Sequence, residues 1–599
     1  LGHAIAANGS QPTRKWLKGA EGLLEGVERS AFSGRVTEWF SLVRKAPKIL
    51  AEHEDALKGL VWMCGLAGEQ PILSMLADLA EYCFKKVPGV GPRCPSVGNA
   101  CLWALKKIPG LPSVAQFSRL KMKIKYTTGQ RLIEKALNEA AQREGLTRRD
   151  LEELCVPTYG MTAPGVLLRP LGEFTAELTI AGSTAVNWRW LKADGKAQAS
   201  VPAAVQSEHL AGLKELKATA RDMEAMLGTQ RERIEALLLQ QPAWPLEVWR
   251  ERYLDHPLLA NLCRRLIWHF ESDGDKCVGT WLGGKIMDEQ DRELALSGNT
   301  NVRLWHPLGS APAFVLAWRQ SLERHGVVQP FKQAYREVYI ITDAELLTNT
   351  YSNRFAAHIL KQHQFAALAK LKGWEYRLQG GFDSGNTEAD LHLPDCNLHA
   401  QFWVDGCHDM ATSPAGIYLY IATDQVRFLG ADGQPLPLTE VPALLFSEVL
   451  RTVDLFVGVC SVGNDPNWQD RGAQGGRDYW HSYSFGDLSA SAKTRLDVLG
   501  RLLPRLKIAS RCRLDDKFLI VRGDLRTYKI HLGSGNILME PNDQYLCIVP
   551  GRGAEREQDG LVFLPFEGDQ TLSIILSKAF LLAADAKITD ASITRQIRG

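Results

Sequence analysis

Eleven Lys and Arg residues against four carboxylates lie between positions 493 and 531, a local excess of about seven positive charges. Most of it comes from Arg501, Arg505, Lys507, Arg511, Arg513, Lys517, Arg522, Arg526 and Lys529. A stripe of this kind can hold the phosphates of a nucleotide or a nucleic acid. It runs into Leu532-Gly533-Ser534-Gly535-Asn536, a glycine-rich loop whose backbone amides could cradle an anion. The candidate anion-binding set is therefore Arg522, Arg526, Lys529, His531, Gly533, Ser534, Gly535 and Asn536. In an enzyme acting on a phosphate-bearing substrate, the cations and amides would stabilise phosphoryl charge and His531 would be the acid or base. The competing readings are a solvated face with ion pairs and a tight hairpin. A dinucleotide fingerprint needs a helix after the glycines, whereas Ile537-Leu538-Met539-Glu540 reads as a strand. Aromatics for base stacking are sparse in the stripe, with only Phe518 and Tyr528.

Residues 383–424 are the converse, with seven carboxylates and no Lys or Arg. Asp390, His392, Cys396, His399, Cys407, His408 and Asp409 are of metal-ligand type, but their spacing fits no metal motif. Surface loops around an edge strand, or docking of this acidic segment on the basic stripe, explain it without a ligand. No metal is expected. Ser461 lies in Gly458-Val459-Cys460-Ser461-Val462-Gly463, where a nucleophile elbow would need glycine at Val459. His358 and His363 are five apart on what reads as one helix, so they do not share a face.

The elements that must position these residues fall into three stretches: 1–156, 157–440 and 441–599. The first is helical, with stripes such as Leu57-Leu60-Val61-Cys64 and Leu73-Leu76-Leu79-Ala80-Cys83 separated by Pro/Gly breakers. Short helices on short turns suggest a HEAT-like α-solenoid, with a helical bundle as the alternative. Residues 115–143 could form one longer helix, although 119–125 alternates as a strand would. The second stretch mixes strands (177–180, 186–191, 278–282, 302–305, 338–342, 399–404, 417–422) with helices at 207–240, 256–270, 311–325 and 353–372. Ser207 is the expected cap of the longest. The third has a helix at 441–450 feeding a strand at 453–460, a helix at 489–503, strands at 518–522, 527–532, 537–540, 545–549 and 561–564, and a closing helix at 571–584. The fold class is α+β.

The chain has 599 residues, 45% hydrophobic and 23% charged, with a net charge of +2. That excludes a disordered or coiled-coil chain and any global attraction to nucleic acid or anionic membrane. Twelve cysteines without a C-x-x-C pair read as buried thiols in a reducing cytoplasm. No apolar run is long enough to span a membrane. Leu1 stands where a start Met would, which leaves room for an upstream segment.

Four phrases carry a resemblance. They are Gln329-Pro330-Phe331-Lys332-Gln333-Ala334-Tyr335-Arg336-Glu337-Val338-Tyr339; Tyr351-Ser352-Asn353-Arg354-Phe355-Ala356-Ala357-His358; Ser461-Val462-Gly463-Asn464-Asp465-Pro466; and Asp524-Leu525-Arg526-Thr527-Tyr528-Lys529-Ile530-His531-Leu532-Gly533-Ser534-Gly535-Asn536-Ile537. From about residue 151 onward the chain resembles the bacterial domain-of-unknown-function family 4132, also called MolR-like, and the helical start is similar to the HEAT-like region that often precedes it. The resemblance implies a partner role beside MoxR-type AAA+ ATPases and von Willebrand A proteins. It carries over no catalytic residues and no cofactor. A WGR module, frequent in such proteins, would lie before Leu1. The leading expectation is a cytoplasmic regulatory or scaffold protein whose helical part binds a protein partner. The alternatives are an enzyme acting on a nucleotide or nucleic-acid phosphate and a non-catalytic nucleic-acid-binding protein.

Overall fold

The computed structural model describes residues 2–46, 49–87, 91–124, 126–145, 147–154, 156–161, 163–272, 274–381, 388–393, 396–407, 410–465, 476–548 and 563–598. Two compact units form. One holds residues 1–170, 175–177 and 251–258; the other holds 171–174, 178–250 and 259–599. The chain is α+β, and every strand pairing assigned a register is antiparallel.

The first unit is a stack of helices. Arg29–Lys45 packs on Leu73–Phe84, Ala51–Ala67 on Pro95–Lys107, Leu73–Phe84 on Leu111–Lys123, and Pro95–Lys107 on Thr127–Arg143. Helices two apart in sequence thus lie side by side. Pro95 and Pro112 open their helices within the first turn, where a missing N–H costs nothing. Gly68 closes Ala51–Ala67 in the left-handed conformation, at φ 74°. Gly65 lets that helix approach closely, because a Cβ there would sit 2.8 Å from the Ala104 Cα. The core includes Trp62, Phe40, Phe84, Phe117 and the thiols of Cys64, Cys83, Cys94 and Cys101. Residues 115–143 belong to two helices instead of one, Leu111–Lys123 and Thr127–Arg143, and 119–123 lies in the first of them instead of a strand. Cys155 lies outside the described residues.

Of the sheets and helices of the second unit, two sheets and three helices concern the candidate site. One sheet runs Cys512–Leu514, Phe518–Arg522, Thr527–His531, Ile537–Met539 and Gln544–Leu546 in sequence order, each strand antiparallel to the next. Its buried side (Leu519, Val521, Tyr528, Ile530) packs with Ala490–Leu502 and Gln570–Ala583 in one core. The other sheet contains Glu388–Leu393, Leu398–Gly406 and Tyr420–Leu429, and its core includes the helix Ala443–Cys460. The long helix expected at 207–240 is Leu210–Gln240; Ser207 sits in a preceding short helix, Ala203–Glu208, and does not cap it.

Several expected elements differ. Residues 453–460 continue the helix Ala443–Cys460 instead of forming a strand. Leu445, Val449, Val453, Phe456, Val457 and Cys460 are buried at helical spacing, and burial on most sides makes the run look like a core strand. Residues 338–342 have no regular pairing. In 353–372 only Gln362–Leu371 is helical, after the short strand Ile359–Lys361. In 256–270 a short helix, Ala260–Cys263, gives way to the strand Ile267–Ser272. The expected strand at 561–564 begins outside the described residues, as do the segments holding Asp383, Asp395, His408, Asp409 and Pro466.

Candidate functional site

The hairpin 518–531 carries the basic residues, and its turn is held from within. Gly523 faces the buried Asp585, whose carboxylate a Cβ at Gly523 would meet at 2.4 Å. Asp585 accepts hydrogen bonds from three successive backbone amides, Asp524 (2.7 Å), Leu525 (3.0 Å) and Arg526 (3.1 Å), and from the Tyr528 hydroxyl (2.7 Å). Successive amides aimed at one point form an anion nest, and here the guest is the chain's own carboxylate. Burial opposes its charge, but Tyr528 and the amides hold Asp585 below its ordinary pKa. Outside this turn, Arg522 and Arg526 line an open groove of about 620 Å³ together with Thr527, Glu540, Ile597 and Arg598.

The other candidates do not join them. Lys529 pairs with Asp543 at 2.5 Å. His531 is buried, bonded to the Gly486 carbonyl and to Ser534, and burial lowers its pKa to about 4. The glycine-rich loop is a closed hairpin end. The Ser534 amide donates to His531 Nδ1, the Gly535 amide to the His531 carbonyl, and the Asn536 amide to Ser534 Oγ. Cations meet its carbonyls instead: Arg495 donates to those of Leu532 and Gly533, and Lys578 to that of Gly535. Arg526, Lys529 and His531 therefore do not converge on one point.

Much of the stripe is neutralised nearby. Arg501 meets Asp497 and Glu323, Arg511 meets Asp524, Arg513 meets Asp515, and Lys517 meets Asp487. Among the described residues none of the stripe pairs with 388–424. In that acidic segment Asp390 bonds His399 at 2.9 Å, and the rings of His392 and His399 stack at 4.6 Å. Among the described residues no three metal-ligand side chains converge.

Sequence reasoning missed a buried ionic chain. Lys372 meets Glu232 (2.6 Å) and Glu235 (3.7 Å), and Glu235 also takes Arg336 (3.1 Å) and Arg451 (3.3 Å). Arg336 grips both oxygens of Glu448, which also bonds His306 at 3.0 Å. Arg451 reaches Glu337, Glu337 meets Lys332, Lys332 meets Asp569, and Asp569 meets Arg495, at 2.8–3.1 Å. Five cations face five carboxylates in this chain. Burial would raise the pKa of Glu235 and Glu337, yet the cations hold both at about 2. Asp454, buried close by, is raised by that burial. The chain joins the phrase 329–339, the helix Ala443–Cys460 and the loop at Gly533, and its balance is complete without a ligand. The signal was present in the phrase itself: Lys332, Arg336 and Glu337 sit among apolar residues, where charge must be paired.

A second buried cluster joins two other phrases. His358 Nδ1 lies 3.1 Å from the Tyr479 hydroxyl, which lies 2.8 Å from Ser461 Oγ. His358 precedes the helix that carries His363. Burial lowers His358 to about 4 and raises Tyr479 above its usual range. A base for catalysis at neutral pH needs a pKa near 7, and neither group has one. Ser461 Oγ also accepts the Gly463 amide, so it caps the turn Val462–Asn464.

Residues 195–374 match the family Domain of unknown function (DUF4132), and residues 492–597 match Domain of unknown function (DUF7737). Over 268 residues the chain is 23% identical to Uncharacterized protein YehI of Escherichia coli strain K12, covering 43% of this chain and 21% of that protein. The chain thus spans about a fifth of that relative's length. No solved structure matches it. Among the described residues no helix is long and apolar enough to cross a membrane.

Proposed function

We propose that this is a regulatory or scaffold protein of the MolR-like kind, whose helical unit binds a protein partner in the cytoplasm. The observation that carries the reading is an apolar cleft of about 240 Å³ between Arg29–Lys45 and Ala51–Ala67, lined by Val43, Ile49, Leu50, Leu57 and Leu60. Leu42 and Leu50, 64% and 41% exposed, stand on these helices and their connection. Trp39 is one helical turn before Val43 and is also exposed. Apolar side chains gathered around a groove are what a partner's apolar segment fills. The stacking of helices two apart supports a HEAT-like arrangement, an architecture that presents extended binding surfaces. The MolR-like resemblance supports the partner class: a MoxR-type AAA+ ATPase working with a von Willebrand A protein. Six buried free thiols support the cytoplasmic assignment.

The test is affinity capture of the tagged full chain from a native bacterial host, beside a Leu42→Glu/Leu50→Glu variant. Recovery of the ATPase or its von Willebrand A companion by the parent chain and its loss from the variant is expected. Recovery of no partner, or equal recovery by both, overturns the reading.

A further inference from the structure

The groove beside the 522–527 turn gathers cations of the basic stripe around one open volume. Arg522 and Arg598 are exposed and form no ion pair with a described residue. Arg526 is half-buried and donates from Nε to the Ile597 carbonyl at 2.5 Å, which fixes its guanidinium at the groove wall. The turn between Arg522 and Arg526 is itself immobilised by Asp585 through three amides. Thr527 stands directly across the strand pair from Arg522. Among the described residues the rim holds two carboxylates, Glu540 and Asp524, and Arg511 neutralises Asp524 at 2.7 Å.

Among the described residues, three guanidiniums and one carboxylate without a cation partner, Glu540, therefore line an open volume of about 620 Å³. Guanidinium forks match phosphate oxygens in pairs. The volume is that of a small-molecule site. Leu525, Pro541 and Ile597 supply apolar wall but no aromatic face on which a base could stack. The Glu540 carboxylate offers hydrogen-bond acceptors, so it suits a ligand with hydroxyl or amino donors and disfavours a bare polyanion.

We propose that this groove binds a phosphorylated small molecule, a nucleotide or sugar phosphate. Its phosphate sits on Arg522, Arg526 and Arg598, and a donor group of its body sits on Glu540. The site is separate from the helical unit invoked for partner binding and does not depend on that reading. No chemistry on the phosphate is implied.

The test is titration of the full chain with ATP, glucose 6-phosphate and pyrophosphate by calorimetry, beside Arg522→Ala and Arg598→Ala variants. Both residues are exposed, so the variants fold; equal thermal unfolding midpoints confirm it. Saturable binding of ATP or glucose 6-phosphate, tighter than pyrophosphate and weakened at least tenfold in each variant, is expected. Glu540→Ala should tighten pyrophosphate binding, and weaker pyrophosphate binding in that variant overturns the placement of the ligand body on Glu540. Absence of binding by all three probes overturns the proposal, as does equal affinity in the variants. A single-stranded oligonucleotide arm separates the remaining case: oligonucleotide binding that falls steeply with salt, without mononucleotide binding, makes the groove a nucleic-acid surface and overturns the proposal as well.

Discussion

The Tyr528 hydroxyl donates to the Asp585 carboxylate at 2.7 Å, and both side chains are buried. Together with three backbone amides, this bond anchors the turn that sets Arg522 and Arg526 apart. Tyr528→Phe removes one donor to a charged acceptor and should cost about 1.5–3 kcal/mol. Asp585→Ala leaves the three amides without their acceptor and should cost more. Urea unfolding measures both; equal midpoints for the parent and Asp585→Ala would show that the turn does not need this anchor.

Arg336 and Glu448 form a second test. Arg336→Met leaves the buried Glu448 with His306 as a hydrogen-bond partner and Arg451 further off, and should destabilise the second unit by about 3–5 kcal/mol. Replacing both with Met and Leu should cost much less than the sum of the single changes, because no lone charge remains. Denaturant unfolding of the four chains gives the coupling, and additive single effects would contradict the ion-pair account.

Acid should weaken the second unit before its carboxylates titrate. His358 and His531 are held near 4, against an ordinary value of about 6.5. Both are neutral when folded but take up protons when unfolded below about 6.5. Their contribution is complete above that pH and is lost as pH falls toward 4. The slope is about 1.4 kcal/mol per pH unit for each histidine. His306, also lowered by burial, adds to it, and Asp454, raised by burial, opposes it by at most one proton. Unfolding free energies at pH 7 and pH 5 check this, with His531→Asn expected to reduce the slope by one proton. A flat profile between those pH values would contradict it.

Gly65→Ala tests the helix stack. Alanine has the better helix propensity by about 1 kcal/mol, but its Cβ would press on the Ala104 backbone at 2.8 Å. Overpacking of this kind costs about 1–3 kcal/mol, so a lower melting temperature is expected. An unchanged or higher one would mean that the two helices can separate without loss.

Much of the fold was legible where one periodicity acts alone. The stripes at Leu57-Leu60-Val61-Cys64 and Leu73-Leu76-Leu79 marked helices, and the strands expected at 518–522 and 527–532 pair as Phe518–Arg522 and Thr527–His531. Residues 453–460 were misread because a helix buried on most of its circumference loses its polar face. The chemistry was less legible. The local excess of charge at 493–531 says nothing of partners, and Arg495 finds Asp569 74 residues away while Arg336 finds Glu448 across 112. The glycine loop had the composition of an anion cradle, but its amides close on His531 and Ser534, groups within the same hairpin. The phrase 329–339 marks a buried polar joint: Gln333 alone bonds the backbone of both Ile267 and Trp305.

The most direct measurement of the central claim is a binding titration of the purified full chain against the MoxR-type ATPase of the same host, repeated with Leu42→Glu/Leu50→Glu. Leu42 and Leu50 are 64% and 41% exposed, and equal thermal unfolding midpoints of the two chains show that the variant folds. The account predicts saturable binding that weakens at least tenfold, about 1.4 kcal/mol, in the variant. Equal dissociation constants for the two chains, or no binding by either, would contradict it.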